Sequence, residues 1–320
     1  MSEFRILVVR LSSMGDVIHT LPSAASLKHS FPHSHLTWLI RPRWMPLLAG
    51  NPYVDEVVPV ERSIGASFAE ARRLRARNFD LAVDFQGLIQ TALLAAAVRP
   101  TKLAGFHRKQ ARERLAALFY SSEVETRAEH IVERNLELAA GAGASNILRS
   151  FPLPEGTPEG SLPEGKFILA CPLAGWGAKQ WPVEHWSELA GLLDLPLVVN
   201  GPPESASALA RIRGTRVHLS GIDGLIDATR RAHAVIGVDS GPLHLAAALA
   251  KPGVAIYGPT DPARNGPYGT SFHVLRSPDA VTDYKRRAAP ADSMSAISAP
   301  MVAGELAAVL ASLSAAGCPA

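Results

Sequence analysis

Short apolar runs alternate with stretches of helical spacing along this chain, and the alternation recurs almost from end to end. Residues 4–9, FRILVV, form a mostly apolar run that stops at Ser12-Ser13-Met14-Gly15-Asp16. VIHTLPSAASLKHSF then follows with apolar residues three and four apart. A strand, a tight loop and a helix produce that pattern. The same reading makes strands of 36–40, 54–60 and 81–85, and helices of 68–78, 88–98, 111–119 and 130–143. Strands alternating with helices connect by right-handed crossovers and build a parallel sheet covered on both faces.

Periodicity fails over residues 150–165, SFPLPEGTPEGSLPEG, where Pro, Gly and Glu dominate. A linker between two domains, 1–150 and 151–320, is the expected reading. Beyond it the design repeats, with strands at 166–173, 195–201, 233–239 and 253–258 and helices at 183–193, 204–212, 241–249 and 302–315. The last helix is placed to pack back across both domains. A length of 320 residues suits two domains of ordinary size. The fold class expected is α/β, with two Rossmann-like domains in tandem. Ligands would bind where loops leave the carboxyl ends of the strands, in a crevice between the domains.

Hydrophobic residues make up 47% and charged residues 19%, enough for each half to bury a core. Two cysteines build neither a disulfide framework nor a zinc site. Cys171 sits in the apolar run KFILAC and is expected to be a buried free thiol, and Cys318 is near the terminus. Both fit a reducing cytoplasm. The first sixteen residues lack a secretory pattern, and no run approaches the roughly 20 apolar residues of a membrane helix. A soluble protein, or one resting on a membrane surface, is expected.

Charge is unevenly spread. Residues 1–150 hold nineteen Lys and Arg against fourteen Asp and Glu, whereas the remainder holds thirteen against fifteen. The excess includes Arg72, Arg73, Arg75, Arg77, Arg99, Lys102, Arg108, Lys109, Arg112 and Arg114. It is either a solvated helical face or a surface that meets an anion such as phospholipid or a phosphorylated glycolipid. No zinc-finger or RNP signature is present, so nucleic acid is not an expected partner.

Four segments carry candidate chemistry. In RLSSMGDVIHTLP (10–22), Gly15 would let the backbone turn tightly where strand passes to helix. Asp16 is then either the helix N-cap or a carboxylate at the mouth of the crevice. VIGVDSGPLHLAAAL (235–249) is a second strand-to-helix passage, with Ser240, Gly241 and His244 around the helix start. Pro242 suits the first turn, and the exposed amides with the helix dipole make an anion site within reach of His244. In GWGAKQWPVEHW (175–186), Lys179 is either a surface lysine or a compact cation for a phosphate, while Trp181 and Trp186 read as packing. The turn-rich loop YGPTDPARNGPYG (257–269) follows the last clear strand and could wall a cleft. Neither G-x-G-x-x-G nor a Walker lysine pattern occurs, which counts against a dehydrogenase.

Taken in order and spacing, SSMGDVIHTLP, DFQGLIQTALL, VDSGPLHLAAAL and YGPTDP resemble glycosyltransferase family 9, and the first motif resembles its heptosyltransferase I branch. The resemblance runs from Arg5 to about residue 310. It implies a GT-B fold, with an N-terminal acceptor-binding domain and a C-terminal nucleotide-sugar-binding domain facing across a cleft. It further implies an ADP-activated L-glycero-D-manno-heptose donor, inversion without a metal or other cofactor, and an acceptor in the Kdo region of the lipopolysaccharide inner core. Such an enzyme works in the bacterial cytoplasm, on the inner face of the inner membrane. The family's catalytic base falls on Asp16, its donor lysine on Lys179 and its ribose-binding acid on Glu204. The diphosphate-binding block falls on Asp239, Ser240, Gly241 and His244, and Gly15, Gln86 and Arg112 match acceptor-side positions.

The chemistry agrees, because inversion needs one base for the acceptor hydroxyl and positive groups for the departing diphosphate. Two features depart from the family pattern. Ala174 and Gly175 stand where relatives often carry hydroxyl residues before the donor lysine, and ERSIGASFAE keeps only Arg62 of a basic acceptor loop. A family enzyme with another sugar nucleotide or acceptor, or a nucleotide-sugar-binding protein without catalysis, is the alternative.

Overall fold

A computed structural model describes residues 3–315 apart from Thr270 and Arg286; Cys318 lies outside the described residues. The chain divides into two compact units, Met1–Pro154 and Glu155–Ala320.

In the first unit the apolar runs become β1 (Phe4–Val9), β2 (Ser34–Ile40), β3 (Glu56–Pro59), β4 (Leu81–Asp84), β5 (Lys102–Phe106) and β6 (Ser122–Val124). They form one sheet in the order β3-β2-β1-β4-β5-β6, every neighbouring pair parallel. Ile6, Leu7, Val8 and Val9 of β1 and Ala82 and Val83 of β4 have no exposed surface, as central strands of a doubly covered sheet require. The intervening helices are α1 (Met14–Ile18), α2 (Leu21–Ser30), α3 (Ile64–Arg75), α4 (Ile89–Val98) and α5 (Ile131–Ala142).

Two expectations are corrected here. The single helix read from residue 17 to 31 is two helices, broken at His19–Thr20, with Pro22 in the first turn of the second. Asn135 of α5 holds the break, its Nδ2 donating to the His19 carbonyl at 3.0 Å. The stretch 111–119 forms a 3₁₀ turn over Arg114–Phe119 rather than an α-helix.

The second unit holds β7 (Ile168–Cys171), β8 (Leu197–Gly201), β9 (Arg216–Leu219), β10 (Ala234–Val238), β11 (Gly253–Tyr257) and β12 (Phe272–Arg276). Their order, β12-β11-β10-β7-β8-β9, is that of the first sheet read from the other edge, again all parallel. Its helices are α6 (Val183–Leu192), α7 (Ala206–Leu209), α8 (Ile222–Arg231), α9 (Gly241–Ala248), α10 (Pro262–Asn265), α11 (Asp292–Ser295) and α12 (Ala299–Ala315). Trp181 and Trp186 meet edge to face at 4.9 Å inside this core, and the Trp181 Nε1 donates to the Ile297 carbonyl at 2.8 Å. Helix α12 packs on α6, β11 and β12 through buried Val302, Leu306 and Val309. Cys171 is a buried free thiol whose pKa burial pushes up to about 12.

In each sheet the strand order reverses beside the unit's first strand, between β1 and β4 and between β7 and β10. Loops leaving neighbouring strands diverge there, which opens a crevice at the carboxyl edge. Asp16 and Gln86 follow β1 and β4; Lys179 and Asp239 follow β7 and β10.

Candidate active site

The first cluster is built on the loop after β1. Ser13 is the N-cap of α1 and Asp16 its third residue, so Asp16 is not the cap. Its carboxylate instead reaches back to the cap: the Ser13 N–H and Oγ donate to Asp16 Oδ2 at 2.9 and 3.0 Å. Arg10 Nη2 donates to the other oxygen, Oδ1, at 2.6 Å. Burial alone would push the Asp16 carboxyl up. The Arg10 charge, the two Ser13 bonds and the Arg112 charge overcome that and hold it below the ordinary carboxylate value. A side chain that is 28% exposed thus presents an anion held by a cation 5% exposed. Gly15, expected as a turn glycine, is the second residue of α1 and does not adopt a left-handed φ.

Gln86 braces this loop. Its Oε1 accepts from the Leu11 and Ser12 N–H groups at 2.7 and 3.3 Å, so its carbonyl end is committed to backbone. Arg10 Nη1 donates to the Phe85 carbonyl, which ties the same guanidinium to the loop after β4. Under that loop lies Asp84, fully buried at the end of β4. Its Oδ1 accepts from the Gln86 and Gly87 N–H groups at 2.9 and 3.3 Å, and its Oδ2 from Thr91 Oγ1 and Tyr120 OH at 2.9 and 2.8 Å. Burial raises the Asp84 carboxyl against those four bonds. Gly87 has φ +67°, and a Cβ there would stand 3.2 Å from the Arg112 N, so only glycine passes this point unstrained. The excursion carrying Arg112 is thereby held against the Gln86 loop, with Arg112 itself exposed.

The second cluster forms around Asp239, at the end of β10. Lys179 Nζ lies 2.5 Å from Asp239 Oδ2, and His244 Nε2 lies 3.4 Å from Oδ1. Burial opposes ionisation of this carboxyl, but the His244 and Lys179 interactions hold it far below the usual range. Lys179 also stands over the Trp176 ring at 4.6 Å from its centroid, so it is a placed cation and not a loose surface lysine. Ser240 is the N-cap of α9 and Gly241 its first residue. Helix geometry leaves the first-turn amides of Gly241 and Leu243 without intrahelical partners, and Pro242 has none to offer. Ser240 Oγ and, in the loop after β11, Thr260 Oγ1 are buried with no hydrogen-bond partner among the described residues. The two Asp239 carboxylate oxygens thus hold Lys179 and His244 together. Glu204 stands apart from that cluster, exposed on a 3₁₀ turn, Pro203–Ser205, directly after β8.

Arg10 and Asp84 were missed in the sequence. Each registers there only as the first residue of a quoted motif, RLSSMGDVIHTLP and DFQGLIQTALL. A charged residue closing an otherwise apolar central strand is the signal that marks both. Among the described residues, no group of three or more His, Cys, Asp and Glu side chains is arranged to hold a metal ion.

Known proteins share this architecture. A family model described as glycosyltransferase family 9 (heptosyltransferase) matches residues 68–292. Lipopolysaccharide heptosyltransferase 1 of Pseudomonas aeruginosa is 32% identical over 297 residues, covering 83% of this chain and 82% of the relative. The Escherichia coli heptosyltransferase WaaC, solved with ADP, is 28% identical with a TM-score of 0.77, covering 96% of this chain and all of that one. The same enzyme solved with ADP-2-deoxy-2-fluoro heptose is 29% identical with a TM-score of 0.73, covering 93% and 98%. Two parallel-sheet units of one strand order, with likeness over nearly the whole length, give the GT-B fold. The chain belongs to glycosyltransferase family 9, the heptosyltransferases.

Proposed function

We propose that the protein transfers L-glycero-D-manno-heptose from ADP-heptose to the Kdo region of the lipopolysaccharide inner core, with inversion and without a metal. The observation that carries this is the presence of unlike sites: an ionised carboxylate at the reversal point of one sheet and a lysine with a histidine at a helix start at that of the other. Asp16 takes the proton of the acceptor hydroxyl as its oxygen bonds to the anomeric carbon from the face opposite the departing ADP. The bond from that carbon to the phosphate oxygen breaks, and both electrons leave with ADP. Lys179, His244 and the first-turn amides of α9 take up the charge that develops there. Ser240 Oγ is a further donor for the diphosphate, and Glu204 accepts from ribose hydroxyls. Gln86 keeps the Asp16 loop in register, and Arg112 grips an acidic group of the acceptor.

The relatives' names and the ADP and heptose ligand of WaaC support the donor and the lipopolysaccharide core. No described helix is long and apolar enough to cross a membrane. With a lipid-borne acceptor, we place the enzyme in the cytoplasm, in peripheral contact with the inner face of the inner membrane. Ala174 and Gly175 offer only backbone beside Lys179, and this favours, as a second reading, a family enzyme using another sugar nucleotide or acceptor. One assay separates them. The protein is incubated with ADP-heptose or other sugar nucleotides and with truncated lipopolysaccharide, with and without excess EDTA, and released nucleotide is measured. ADP release that needs ADP-heptose and a Kdo-terminated acceptor, unaffected by EDTA, is the expected result. A strict need for added magnesium or manganese defeats the metal-free mechanism, and turnover of a different donor selects the second reading.

A further inference from the structure

Between β5 and β6 the chain makes an excursion, residues 107–120, that the transfer chemistry uses only through Arg112. Its 3₁₀ turn places side chains three apart on one face, so Leu115 and Leu118 stand together. They are 59% and 74% exposed, whereas Ala116 and Ala117 between them are buried and seat the turn on the unit. Around the leucines, Lys109, Arg112 and Arg114 are exposed and make no salt bridge among the described residues. Arg108 is different, since Glu123 holds it at 2.7 Å. The one acid within the turn's approach, Glu113, is exposed but engaged by backbone, accepting from the Ile89 N–H at 2.6 Å. Two bare leucines beside exposed cations outside any salt bridge are what an anionic lipid surface complements, with apolar tips for the acyl boundary and charge for the headgroups.

The excursion is also fixed to the Asp16 site. Tyr120, at its end, donates to Asp84, the same carboxylate that holds the Gln86 and Gly87 amides. The Tyr120 ring lies so close over Gly105 that any Cβ there would overlap it. The Glu113 N–H donates to the Gly87 carbonyl at 2.9 Å. The Arg112 charge is felt at Asp16.

We propose that residues 109–118 are a bilayer-docking ridge, Leu115 and Leu118 entering an anionic leaflet while Lys109 and Arg114 meet its headgroups, and that its attachment through Asp84 presents a lipid-borne acceptor to Asp16. The second clause rests on the acceptor reading above; the first does not. The test is co-sedimentation of the full chain with vesicles of phosphatidylcholine alone and of phosphatidylcholine with phosphatidylglycerol in equal parts. Wild type should partition onto the anionic vesicles. Leu115→Ser with Leu118→Ser should weaken this at least about tenfold, the scale of leaving one leucine in water. Lys109→Glu with Arg114→Glu should abolish the preference for phosphatidylglycerol, and raised salt should mimic it. These side chains are exposed, so melting temperatures should not move. Transfer to a detergent-dispersed acceptor should persist in the leucine double variant, while transfer to a vesicle-embedded one falls. Wild type that remains in the supernatant, or leucine variants that sediment like wild type, overturns the ridge. So does sedimentation velocity showing a self-associated wild type that the leucine changes make monomeric, because a second copy then covers the face. Leucine-dependent vesicle binding in a protein that transfers no heptose leaves the ridge standing and refutes the functional reading instead.

Discussion

Asp16 and Arg10 act as one unit, and their coupling decides how Asp16 behaves in the proposed role of base. A carboxylate held below its ordinary pKa is ionised throughout the neutral range, so the acid limb of kcat should lie below the usual carboxylate range. Arg10→Met removes the cation and leaves burial, which pushes the carboxyl up. The acid limb should then move toward neutral pH, and kcat should fall because Oδ1 has lost its anchor. A pH–rate profile of the variant that keeps the wild-type limb sinks this account. Asp16→Asn should cut turnover by about 10²–10⁴-fold, the usual worth of a positioned base, with ADP-heptose affinity within a few fold. In the second unit, Lys179→Met leaves the Asp239 carboxylate, in a site 6% exposed, with His244 as its remaining side-chain partner. We expect a lower melting temperature and ADP binding weakened by roughly 10- to 150-fold, the range of a charge-assisted bond. Adding Asp239→Asn should restore the melting temperature but not the affinity. If affinity returns as well, the lysine is there for the fold alone. Asp16 and Lys179 were visible in the sequence as candidates with rival meanings. What decides between those meanings is Arg10 for the one, six residues away and marked only as a charge closing an apolar strand, and Asp239 for the other, sixty residues away with no local pattern.

Apart from β3, an edge strand marked by its valines, the strands that periodicity recovered are interior ones where the apolar run is nearly unbroken. It passed over β6, β9 and β12, and each lies at a sheet edge. Edge strands bury less and carry polar residues, as SEV, RVHL and FHVLR do. Strand β5, KLAGF, was lost to Gly105, which is there because Tyr120 crosses it. Helix α8 and the 3₁₀ segment Pro42–Leu48 were also passed over, and the latter carries two prolines that read locally as loop. Tyr120 and Gly105 converge on Asp84, so that residue is where elements and site meet. Asp84→Ala should cost about 3 kcal/mol or more, because it orphans two amides and a tyrosine hydroxyl in a dry site. Asp84→Asn should cost far less. Burial already favours the neutral form of this carboxyl, and an asparagine oxygen can still take the two amides. Thr91 Oγ1 has the Leu88 carbonyl at 2.9 Å as a second acceptor when its bond to Asp84 is lost. Equal melting temperatures for the two variants would show that hydrogen bonding at Asp84 is not what holds the loop.

Two units of one strand order carry opposite electrostatics, and this asymmetry was readable from residue counts alone. The first has the cationic excess, on exposed side chains; the second is slightly anionic overall yet hosts the proposed donor site. The cation of that site is sheltered: Lys179 is 14% exposed, beside the buried His244. Exposed charges are screened over about 8 Å at physiological ionic strength, whereas sheltered pairs are screened much less. Salt should therefore separate the two substrates. Raising ionic strength should raise the acceptor KM steeply, since that encounter depends on the open field of Lys109, Arg112 and Arg114. The Kd for ADP should change far less, because contact with Lys179 and the α9 amides is local and short-ranged. Arg112→Ala should have the largest single effect on the acceptor KM, since its guanidinium can grip a carboxylate or phosphate through two bonds, and that part should persist at high salt. Arg108, already held by Glu123, should contribute least of the basic residues in the excursion. The measurement is steady-state kinetics with each substrate varied in turn at low and high salt, alongside calorimetric titration of ADP. An ADP affinity that falls as steeply with salt as acceptor use does would mean that one diffuse field serves both substrates. The division of labour between an exposed basic unit and a sheltered cation site would then fail.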